Sequence, residues 1–420
     1  MPRHVPRLKI AILGAGIWAQ NTFLPILRDR LPELAGIIAV YSRSEGSASA
    51  LLSKVHEFSP EAEAYHGDEG LADLLARPDV DAVLVALAAQ GMLEVTKRAL
   101  AAGKHVLSEK PAGPTLIAAK EMLHWVDLLP DPPLWCVEEN FRSEPAFLSA
   151  QQLLPKLGSL VKLDLVFDLP MTPDNKYYGS GWRRDAEGLP GGFMLEASVH
   201  FMAALRDLVR AAGWGEAVTA SATVTHTKED LPTPDTLVGM VRFEKGAAAS
   251  VSISFAGAVP QRSIAAVGTE GTLEVRIGRW HHADKSAYEI ISQLADQDGP
   301  SSEAVPIAGV ERALDSFLRL VAARVEGEMS HSAGAGAAGG SSTAAEAAAG
   351  GGEDSGAGGI GAVGDSSASH AGDSLAQHAH RVSAVEASRD LALIEALLKS
   401  GQLEGRLVEV QQVASHGEVL

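Results

Sequence analysis

The first 140 residues alternate short apolar runs with longer stretches in which apolar residues recur every three or four positions. Short runs of this kind predict buried β-strands, and the longer repeats predict amphipathic helices. Near-continuous apolar strands separated by helices are typical of a parallel sheet covered on both faces. The predicted strands are Leu8–Leu13, Gly36–Tyr41, Ala82–Leu87, His105–Ser108 and Leu134–Val137, and the predicted helices are Trp18–Arg30, Leu71–Ala76, Met92–Ala101 and Thr115–Leu128.

The pattern changes after about residue 145, where apolar and polar residues alternate over long runs. Alternation of this length predicts an open, mainly antiparallel sheet with one face toward solvent. The predicted strands are Leu160–Leu169, Val218–Thr227, Thr236–Phe243, Ala248–Phe255, Ser263–Val267, Thr272–Ile277 and Arg406–Val410, and the predicted helices are Ala146–Leu157, Gly192–Ala211, Val310–Val325 and Val382–Lys399. The fold class is therefore α/β, with a C-terminal α+β domain.

Residues 331–380 consist mainly of Gly, Ala and Ser and contain almost no large apolar residue. A segment of this composition buries too little surface to offset the entropy lost on ordering, so we expect a disordered insertion. The predicted organisation is a dinucleotide-binding domain at 1–142, an α+β substrate and oligomerisation domain at 143–330 plus 381–412, and the insertion at 331–380.

The composition excludes several classes of protein. The formal net charge of −18 argues against nucleic-acid binding, because a phosphate backbone requires a basic surface. No stretch approaches the roughly 18 apolar residues of a membrane span. The single cysteine, Cys136, cannot form an internal disulfide, and we expect it to be a buried free thiol in a strand. We therefore expect a cytoplasmic protein with neither nucleic acid nor membrane as partner.

A glycine-rich turn follows the first predicted strand directly and opens a helix. In dinucleotide-binding domains, the first glycine permits the tight turn and the second lets the backbone approach a pyrophosphate. A third small residue keeps the helix close to the strand, and the helix N-terminus supplies positive potential. The turn therefore predicts a Rossmann fold whose cofactor-binding residues include Gly14, Gly16, Ile17, Trp18 and Ala19.

The end of the second predicted strand bears on which dinucleotide is bound. An NAD-binding domain usually presents a carboxylate there for the ribose 2′-hydroxyl, whereas an arginine suits a 2′-phosphate. This strand runs into Ser42, Arg43 and Ser44 without a carboxylate. We therefore place Ser42 and Arg43 in the cofactor site and favour NADP(H), with NAD(H) possible. The alternative that Arg43 is only a solvated side chain stays open.

Two further motifs carry candidate chemistry: AGKHVLSEKP over residues 102–111 and GGFMLEASVH over residues 191–200. Together with the glycine turn, they resemble the Gfo/Idh/MocA family of oxidoreductases, which includes glucose–fructose oxidoreductase and inositol dehydrogenase. The resemblance covers residues 8 to about 325 and again 381–410. Its most specific element is the first of the two motifs.

The resemblance implies particular site residues. In that family the lysine of the Glu-Lys-Pro triplet lies by the nicotinamide and the substrate hydroxyl, which places Lys110 at the reaction centre and Glu109 beside the cofactor. The family pattern also has an aspartate and a histidine four residues apart on a helix of the second domain. The corresponding positions are Glu196 and His200, and this spacing puts both side chains on one helix face.

The chemistry of these residue types agrees with the implied roles. Oxidation of an alcohol carbon requires a group that takes the hydroxyl proton, and His200 is suited to this in the physiological pH range. Lys110 is suited to donate to the oxygen and to stabilise developing alkoxide charge. We expect Glu196 to orient or charge-stabilise either one.

The sequence departs from the family pattern in two places. Glu196 replaces the aspartate, and the added methylene would move a carboxylate by about 1 Å, a displacement that can cost roughly 100-fold in rate. The loop at Ala88–Met92 lacks the proline and histidine that family members commonly have, and whether Gln90 replaces that contact stays open. Because of these departures, the sequence does not determine which substrate is bound. A loss of catalytic activity is also an open alternative.

Four further residues are candidate substrate contacts. Asn140 and Arg142 follow the last predicted strand of the parallel sheet, where such sheets open their ligand crevice. Trp182 and Arg183 lie in a polar and aromatic loop before the second motif. The histidines show no metal-ligand spacing, so we expect no metal; the ones considered are His281, His282, His378 and His380.

These observations predict an NAD(P)-dependent dehydrogenase or reductase acting on CH–OH groups. Its substrate would be a sugar, a polyol or a similar small polar molecule. Two alternatives remain: an enzyme acting on a non-sugar carbonyl or cyclic diol, and a catalytically silent dinucleotide-binding regulator. The family resemblance also implies a homodimer or homotetramer formed through the C-terminal sheet.

Overall fold

Six parallel strands form the sheet of the first domain, and most of their residues are buried because helices cover both faces. The computed structural model describes residues 7–279, 286–337 and 373–414. The strands are β1 (Leu8–Leu13), β2 (Ala35–Ser42), β3 (Glu63–His66), β4 (Ala82–Val85), β5 (His105–Glu109) and β6 (Trp135–Glu138), arranged in the order β3-β2-β1-β4-β5-β6.

The connections between these strands are helical. They comprise a π-helical turn at Ala19–Phe23 that continues into α1 (Leu24–Asp29), then α2 (Glu45–Val55), α3 (Gly67–Ala76), α4 (Ala89–Ala101) and α5 (Leu116–Asp127). The strand order reverses at β1, which lies between β2 and β4. Ligands of such sheets bind at the carboxyl ends of the strands beside this reversal. The predicted Rossmann fold is confirmed, although α2 and β3 were not predicted.

A nine-stranded sheet forms the second domain. Its strands are β7 (Leu160–Asp168), β8 (Ala217–Thr225), β9 (Thr236–Phe243), β10 (Ala248–Ser254), β11 (Gln261–Gly268), β12 (Gly271–Arg279), β13 (Ser286–Leu294), β14 (Ser301–Pro306) and β15 (Val408–Glu409), in the order β14-β13-β12-β11-β7-β10-β9-β8-β15. All of these pairings are antiparallel except β7 with β10. The mainly antiparallel sheet is therefore confirmed, with two strands, β13 and β14, that were not predicted.

Helices of the second half pack on both sheets. They are α6 (Asn140–Ser143), α7 (Pro145–Leu153), α8 (Gly192–Ala211), α9 (Gly309–Ala337), α10 (Leu375–Arg381) and α11 (Ala384–Gln402). The apolar side of α9, including Leu314 and Phe317, joins the core of the first domain beside Ile10 and Leu84. Helix α11 packs against α8 and β8. The C-terminal helices thus join the two domains.

Two helices extend into the segment 331–380 that the sequence predicts to be disordered. Helix α9 continues to Ala337, and α10 begins at Leu375 behind a capping box formed by Ser374 and Gln377. His378 of α10 is buried and bonds to Ser316, with 3.0 Å between Nδ1 and Oγ. The prediction of disorder is therefore wrong at both ends of this segment, where residues 331–337 and 375–380 are helical. Residues 338–372, as well as His281 and His282, lie outside the described residues.

Cys136 lies buried in β6 as a free thiol, which confirms the prediction for this residue. Burial raises the pKa of this thiol to about 12, so it stays protonated and packs as a small apolar group. Among the helices of the described residues, none combines the length and apolarity needed to cross a bilayer.

Candidate active site

A cavity of about 610 Å³ lies between the carboxyl ends of the first sheet and the second domain. Both domains line it, because α8 and the loop at residues 169–183 face the glycine-rich turn across the opening. The lining residues include Gly14, Gly16, Ile17, Trp18, Ser42, Arg43, Glu109, Lys110, Trp182, Arg183, Glu196 and His200. The structure therefore brings the predicted cofactor and catalytic residues to one place, with the exceptions described below.

The two glycines of the turn differ in what surrounds them. Gly14 has a φ of +121°, and a Cβ atom there would lie 2.3 Å from the carbonyl oxygen of Ala86, so only glycine fits. A Cβ on Gly16 would meet no atom within 4 Å, because this side of the turn opens into the cavity. Ala19 is fully buried and does not line the cavity. It packs the helix onto the sheet, as a small third residue should.

The open space at Gly16 fits the pyrophosphate of a dinucleotide. It lies where the backbone turns into a helix, and N–H groups at a helix N-terminus favour an anion. The buried indole Nε1 of Trp18 has no hydrogen-bond partner within the described chain, so it is a free donor at the cavity wall. The residues present therefore fit the cofactor that the turn predicts.

The rim of the cavity at the end of β2 is polar and cationic. Ser42 and Arg43 line it as predicted, and so does Ser47. The hydroxyl of Ser44, the N-cap of α2, donates to that of Ser47 over 3.0 Å. Arg43 is exposed at the rim. A guanidinium and hydroxyls at the start of a helix form a surface suited to a phosphate group.

Lys110 and Arg183 share the carboxylate of Glu196. Lys110 Nζ donates to Oε1 of Glu196 and, over 3.0 Å, to its backbone carbonyl. Arg183 binds the same carboxylate in a bidentate manner, with Nε 3.1 Å from Oε2 and Nη2 3.0 Å from Oε1. All three side chains are largely buried, with exposures of 12%, 13% and 7% for Lys110, Arg183 and Glu196.

This arrangement keeps Glu196 ionised and leaves a net positive charge on the group of three side chains at the cavity wall. Burial alone would raise the pKa of Glu196, but the charges of Lys110 and Arg183 outweigh it and lower the pKa to about 2. Two cations then face one anion. The excess positive charge is of the sign needed to stabilise an oxygen that becomes an alkoxide.

Two further carboxyl groups lie close to Lys110. Glu109 ends β5 and Glu138 ends β6, and these two residues are register partners in neighbouring parallel strands. Burial raises the pKa of Glu109 to about 8, although Lys110 opposes the shift. Burial, reinforced by the neighbouring carboxyl groups, raises the pKa of Glu138 well above its ordinary range. A proton is therefore retained by this pair at neutral pH, as expected when two carboxyl groups are buried together.

His200 lies one turn after Glu196 on α8 but binds a different carboxylate. Its Nδ1 atom is 2.7 Å from Oε1 of Glu139, a residue of the loop that joins β6 to α6. The imidazole stacks on the ring of Phe141, with 5.0 Å between ring centroids and 22° between planes. The side chain of His200 is 18% exposed and lines the cavity.

The loop before α8 lines the cavity with aromatic and cationic groups. The guanidinium of Arg183 lies 4.1 Å from the ring centroid of Trp182 and 4.5 Å from that of Tyr177, distances typical of cation–π contact. Gln90 of α4 donates from Nε2 to the Trp182 carbonyl over 2.7 Å. Gln90 thus ties the first domain to this loop, and it is not among the residues that line the cavity.

Two predicted substrate contacts lie elsewhere. Neither Asn140 nor Arg142 lines the cavity. Arg142 is fully buried beneath α8, where it forms ion pairs with Asp207 and Asp390. Its prediction as a substrate contact is wrong, because the short helix α6 turns the side chain away from the strand ends and into a buried ion-pair cluster.

Sequence reasoning missed Glu139, Phe141 and Tyr177. A signal for Glu139 is present: two carboxylates, Glu138 and Glu139, come directly after the predicted strand Leu134–Val137, at the edge where such sheets bind ligands. Phe141 and Tyr177 carry no comparable signal, because an aromatic residue in a loop is as often part of a core. Their places depend on how the two domains meet.

Comparison with known proteins identifies the class. The model of the oxidoreductase family with an NAD-binding Rossmann fold, Gfo/Idh/MocA, matches residues 8–128, and the model of its C-terminal domain matches residues 147–274. The chain belongs to this family of oxidoreductases, which confirms the resemblance seen in the sequence. A dehydrogenase of Fusarium mangiferae is 34% identical over 252 residues, which cover 59% of this chain and 70% of that protein.

Two further relatives have names that state a substrate, and a third is named only as an oxidoreductase. A 1,5-anhydro-D-fructose reductase of Ensifer adhaerens is 27% identical over 64% of this chain and 74% of that protein. A solved oxidoreductase from Thermotoga maritima superposes with a TM-score of 0.69 at 23% identity, covering 96% of this chain and 99% of that one. A levoglucosan dehydrogenase in complex with NADH gives 0.67 at 17%, covering 97% and 100%. At these identities, the two structures show a shared fold.

Proposed function

We propose that this oxidoreductase transfers a hydride between NADP(H) and a carbinol or carbonyl carbon of a sugar or a similar polyol. One observation carries the proposal. The predicted catalytic residues Lys110, Glu196 and His200 line one cavity together with the glycine-rich turn, although they come from two domains. When bound, the nicotinamide supplies or accepts the hydride.

Lys110 is proposed to bind the substrate oxygen. Its ammonium is held by Glu196 from one side, and an ammonium has three donors. Because Arg183 shares the same carboxylate, the charge of Lys110 is only partly neutralised. The residual positive charge favours the oxygen when it carries negative charge, which lowers the barrier in both directions.

His200 is proposed to take the hydroxyl proton during oxidation and to return it during reduction. Its Nδ1 atom is occupied by Glu139, so Nε2 is the nitrogen left for the substrate. General acid–base catalysis of this kind contributes roughly 10²–10⁴-fold to rate.

The preference for NADP(H) rests on the rim at the end of β2. Arg43, Ser44 and Ser47 offer a cation and two hydroxyls at the start of α2, and β2 ends without a carboxylate that would repel a 2′-phosphate. Replacing Arg43 with Glu is expected to weaken NADPH binding roughly 100-fold while weakening NADH binding far less.

A sugar-like substrate is supported by the aromatic surface of the loop. Trp182 and Tyr177 line the cavity beside Arg183 and Ser180, so apolar ring faces lie next to hydroxyl and guanidinium groups. Rings of this kind suit the alternating C–H and O–H faces of a pyranose. The relatives named for 1,5-anhydro-D-fructose and levoglucosan indicate which cyclic sugars to test first.

Nucleotide binding tests the proposal first. The protein is titrated with NADPH and with NADH while energy transfer from tryptophan to nicotinamide is followed. Tight NADPH binding and weak NADH binding support the proposal, and binding of neither contradicts it. Turnover is then measured with 1,5-anhydro-D-fructose, levoglucosan, inositols and aldoses. Binding without any turnover would favour the alternative of a dinucleotide-binding regulator.

The outer face of the second sheet is proposed to bind a second copy of the chain, as the family resemblance implies. Val238 and Met240 are exposed on β9, and their register partners on β10 are Ser252 and Ser250. This patch of apolar and small residues can pack against its own copy around a two-fold axis. Light scattering coupled to gel filtration should show a dimer or tetramer that Met240→Lys shifts toward monomer.

A further inference from the structure

The contacts of His200 differ from those that the sequence leads one to expect. Glu196 lies four residues before it on the same helix face and is the natural candidate to orient it. In the structure, however, both oxygens of Glu196 are used by Lys110 and Arg183. The carboxylate that contacts His200 is Glu139, which lies 61 residues away in the chain.

Glu139 is itself held in a fixed orientation. Its Oε1 atom, which contacts Nδ1 of His200 at 2.7 Å, also accepts the backbone N–H of Phe141 over 3.1 Å. Its side chain is only 2% exposed. Phe141 also stacks on the imidazole. Glu139, the N-cap of α6, and Phe141 in the first turn of that helix therefore supply the carboxylate and the ring that determine the orientation of His200.

We infer that Glu139 is the positioning residue of His200, which sets its tautomer and stabilises its charged form. This inference rests on the proposed role of His200. A carboxylate at Nδ1 keeps the proton of the neutral imidazole on Nδ1, so that Nε2 has a free lone pair directed at the substrate. The same carboxylate stabilises the imidazolium that forms when Nε2 takes a proton.

Glu139 carries the charge that this role requires. Burial alone would raise its pKa, but the charge of His200, their hydrogen bond and the charge of Arg142 lower it below the ordinary range. The other ionisable groups that interact with Glu139 are Glu109 on β5, Glu138 on β6, Tyr288 on β13 and Asp390 on α11. Arg142 balances part of this negative charge from α6.

The proton transfer balances without a further group. In oxidation, the O–H bond of the substrate breaks and its proton joins Nε2 of His200, while the carbon loses its hydrogen with two electrons to the dinucleotide. The C=O bond forms from the electrons left on oxygen. The Nδ1 proton remains in its hydrogen bond with Glu139 throughout, so that Glu139 is never protonated, and His200 later releases its proton to solvent.

The site therefore has two separate ion-pair systems. Lys110, Glu196 and Arg183 stabilise charge on the substrate oxygen, and His200 with Glu139 moves the proton. Glu196 binds Lys110, whereas His200 is bound by Glu139. This division explains how the chain keeps a proton-transfer group although the family's aspartate is replaced.

The test compares Glu139→Gln with Glu144→Gln, a matched change at another buried carboxyl group. Glu144 accepts the backbone N–H of Ala308, and no contact joins it to His200 in the described structure. In protein labelled with ¹⁵N-histidine, the His200 ring resonances are identified by their loss in His200→Asn. We expect the Nδ1–H tautomer in the unchanged protein and in Glu144→Gln, and mixed or Nε2–H tautomers in Glu139→Gln.

Kinetics supply a second readout, with levoglucosan as substrate or whichever sugar of the panel is oxidised. Glu139→Gln should lower kcat about 100-fold with little change in KM and move the acid limb of the pH–kcat profile to lower pH. An unchanged tautomer with an unchanged kcat in Glu139→Gln overturns the inference. Unchanged turnover in His200→Asn would instead contradict the proposed function, while the tautomer measurement would still report the contact with Glu139.

Discussion

At the scale of single residues, Glu196 has the largest effect on the charge of the cavity, because its carboxylate pairs with two cations. An aspartate at this position would be one methylene shorter, whereas the glutamate reaches both Lys110 and Arg183. Its pKa of about 2 lies below that of a free glutamate, so its ionisation stabilises the folded state above about pH 4.5, and this contribution is lost as the pH falls from about 4.5 toward 2.

Replacing Glu196 with Gln should destabilise the protein strongly. The change leaves two buried cations without their anion, and breaking such a pair costs about 3–5 kcal/mol. Urea denaturation near neutral pH measures the loss. Glu187→Gln serves as the control, because Glu187 is exposed in the loop before α8 and its replacement should change stability very little. Equal stabilities of the two variants would contradict the buried ion-pair arrangement.

The carboxyl pair Glu109 and Glu138 should make stability fall as the pH rises. Both pKa values are raised in the folded state, so the folded protein binds more protons than the unfolded chain above about pH 4.5 and loses stability from there upward. Glu138→Gln removes one of these groups. Thermal unfolding should show the variant becoming more stable relative to the unchanged protein as the pH rises from about 5 to about 8.

The pH dependence of this stability difference distinguishes titration of Glu138 from an effect of the substitution on packing. At the lower pH, the unchanged Glu138 is protonated and nearly isosteric with glutamine, so the two proteins should have similar stability. A difference that is the same at both pH values would show that Glu138 does not titrate as described.

At the scale of elements, the turn between β1 and the following helix places two glycines for different reasons. Gly14 is required by the fold, because its φ is +121° and a Cβ would contact Ala86 of the β4 end. We predict that Gly16 is required by the ligand, because a Cβ there would meet no protein atom within 4 Å and would instead enter the space proposed for the pyrophosphate.

The two alanine variants should therefore fail in different assays. Gly14→Ala is expected to lower stability by about 2–4 kcal/mol through backbone strain and overpacking. Gly16→Ala should keep the melting temperature of the unchanged protein and weaken NADPH binding about tenfold or more. Calorimetry and the fluorescence titration measure the two effects. Full NADPH affinity in Gly16→Ala would show that the cofactor lies elsewhere.

At the scale of the molecule, the cavity exists only because the domains and the C-terminal helices are joined. The hydrogen bond from Gln90 to Trp182 crosses between the domains, and α9 packs into the core of the first domain although it follows the second in sequence. Helix α10 adds buried contacts, since His378 bonds to Ser316 and His380 contacts Asp207, with 3.2 Å between Nε2 and Oδ1.

Deletions in the Gly/Ala/Ser-rich segment should separate its two parts. A disordered insertion could be removed without loss of activity, but deletion of residues 331–380 also removes most of α10 and its contacts. We expect it to lower the melting temperature. Replacing only residues 338–372 with a flexible linker of about ten residues should leave melting temperature, nucleotide binding and turnover unchanged. Loss of folding in the shorter deletion would refute a passive role for these residues.

Some of the fold and site was determined by the sequence itself. The strand Leu8–Leu13 and the helix Gly192–Ala211 were predicted at their observed bounds, because the period of apolar residues reports directly which face of an element is buried. The glycine-rich turn and the spacing of Glu196 and His200 are equally local. Local patterns therefore predicted the Rossmann domain, the glycine-rich turn and the helix face on which Glu196 and His200 lie.

Only the tertiary structure decided which charges meet. Lys110 and Glu196 are separated by 86 residues, and Glu139 and His200 by 61. No period or propensity relates such positions, because a contact between them depends on how whole elements dock. The same reason accounts for Arg142. The sequence predicted it as a substrate contact, but the packing of α6 against α8 and α11 places it in a buried ion-pair cluster. A buried charged side chain pairs with an opposite charge that the packing of elements places beside it, because an unpaired buried charge lowers the free energy of unfolding by several kcal/mol.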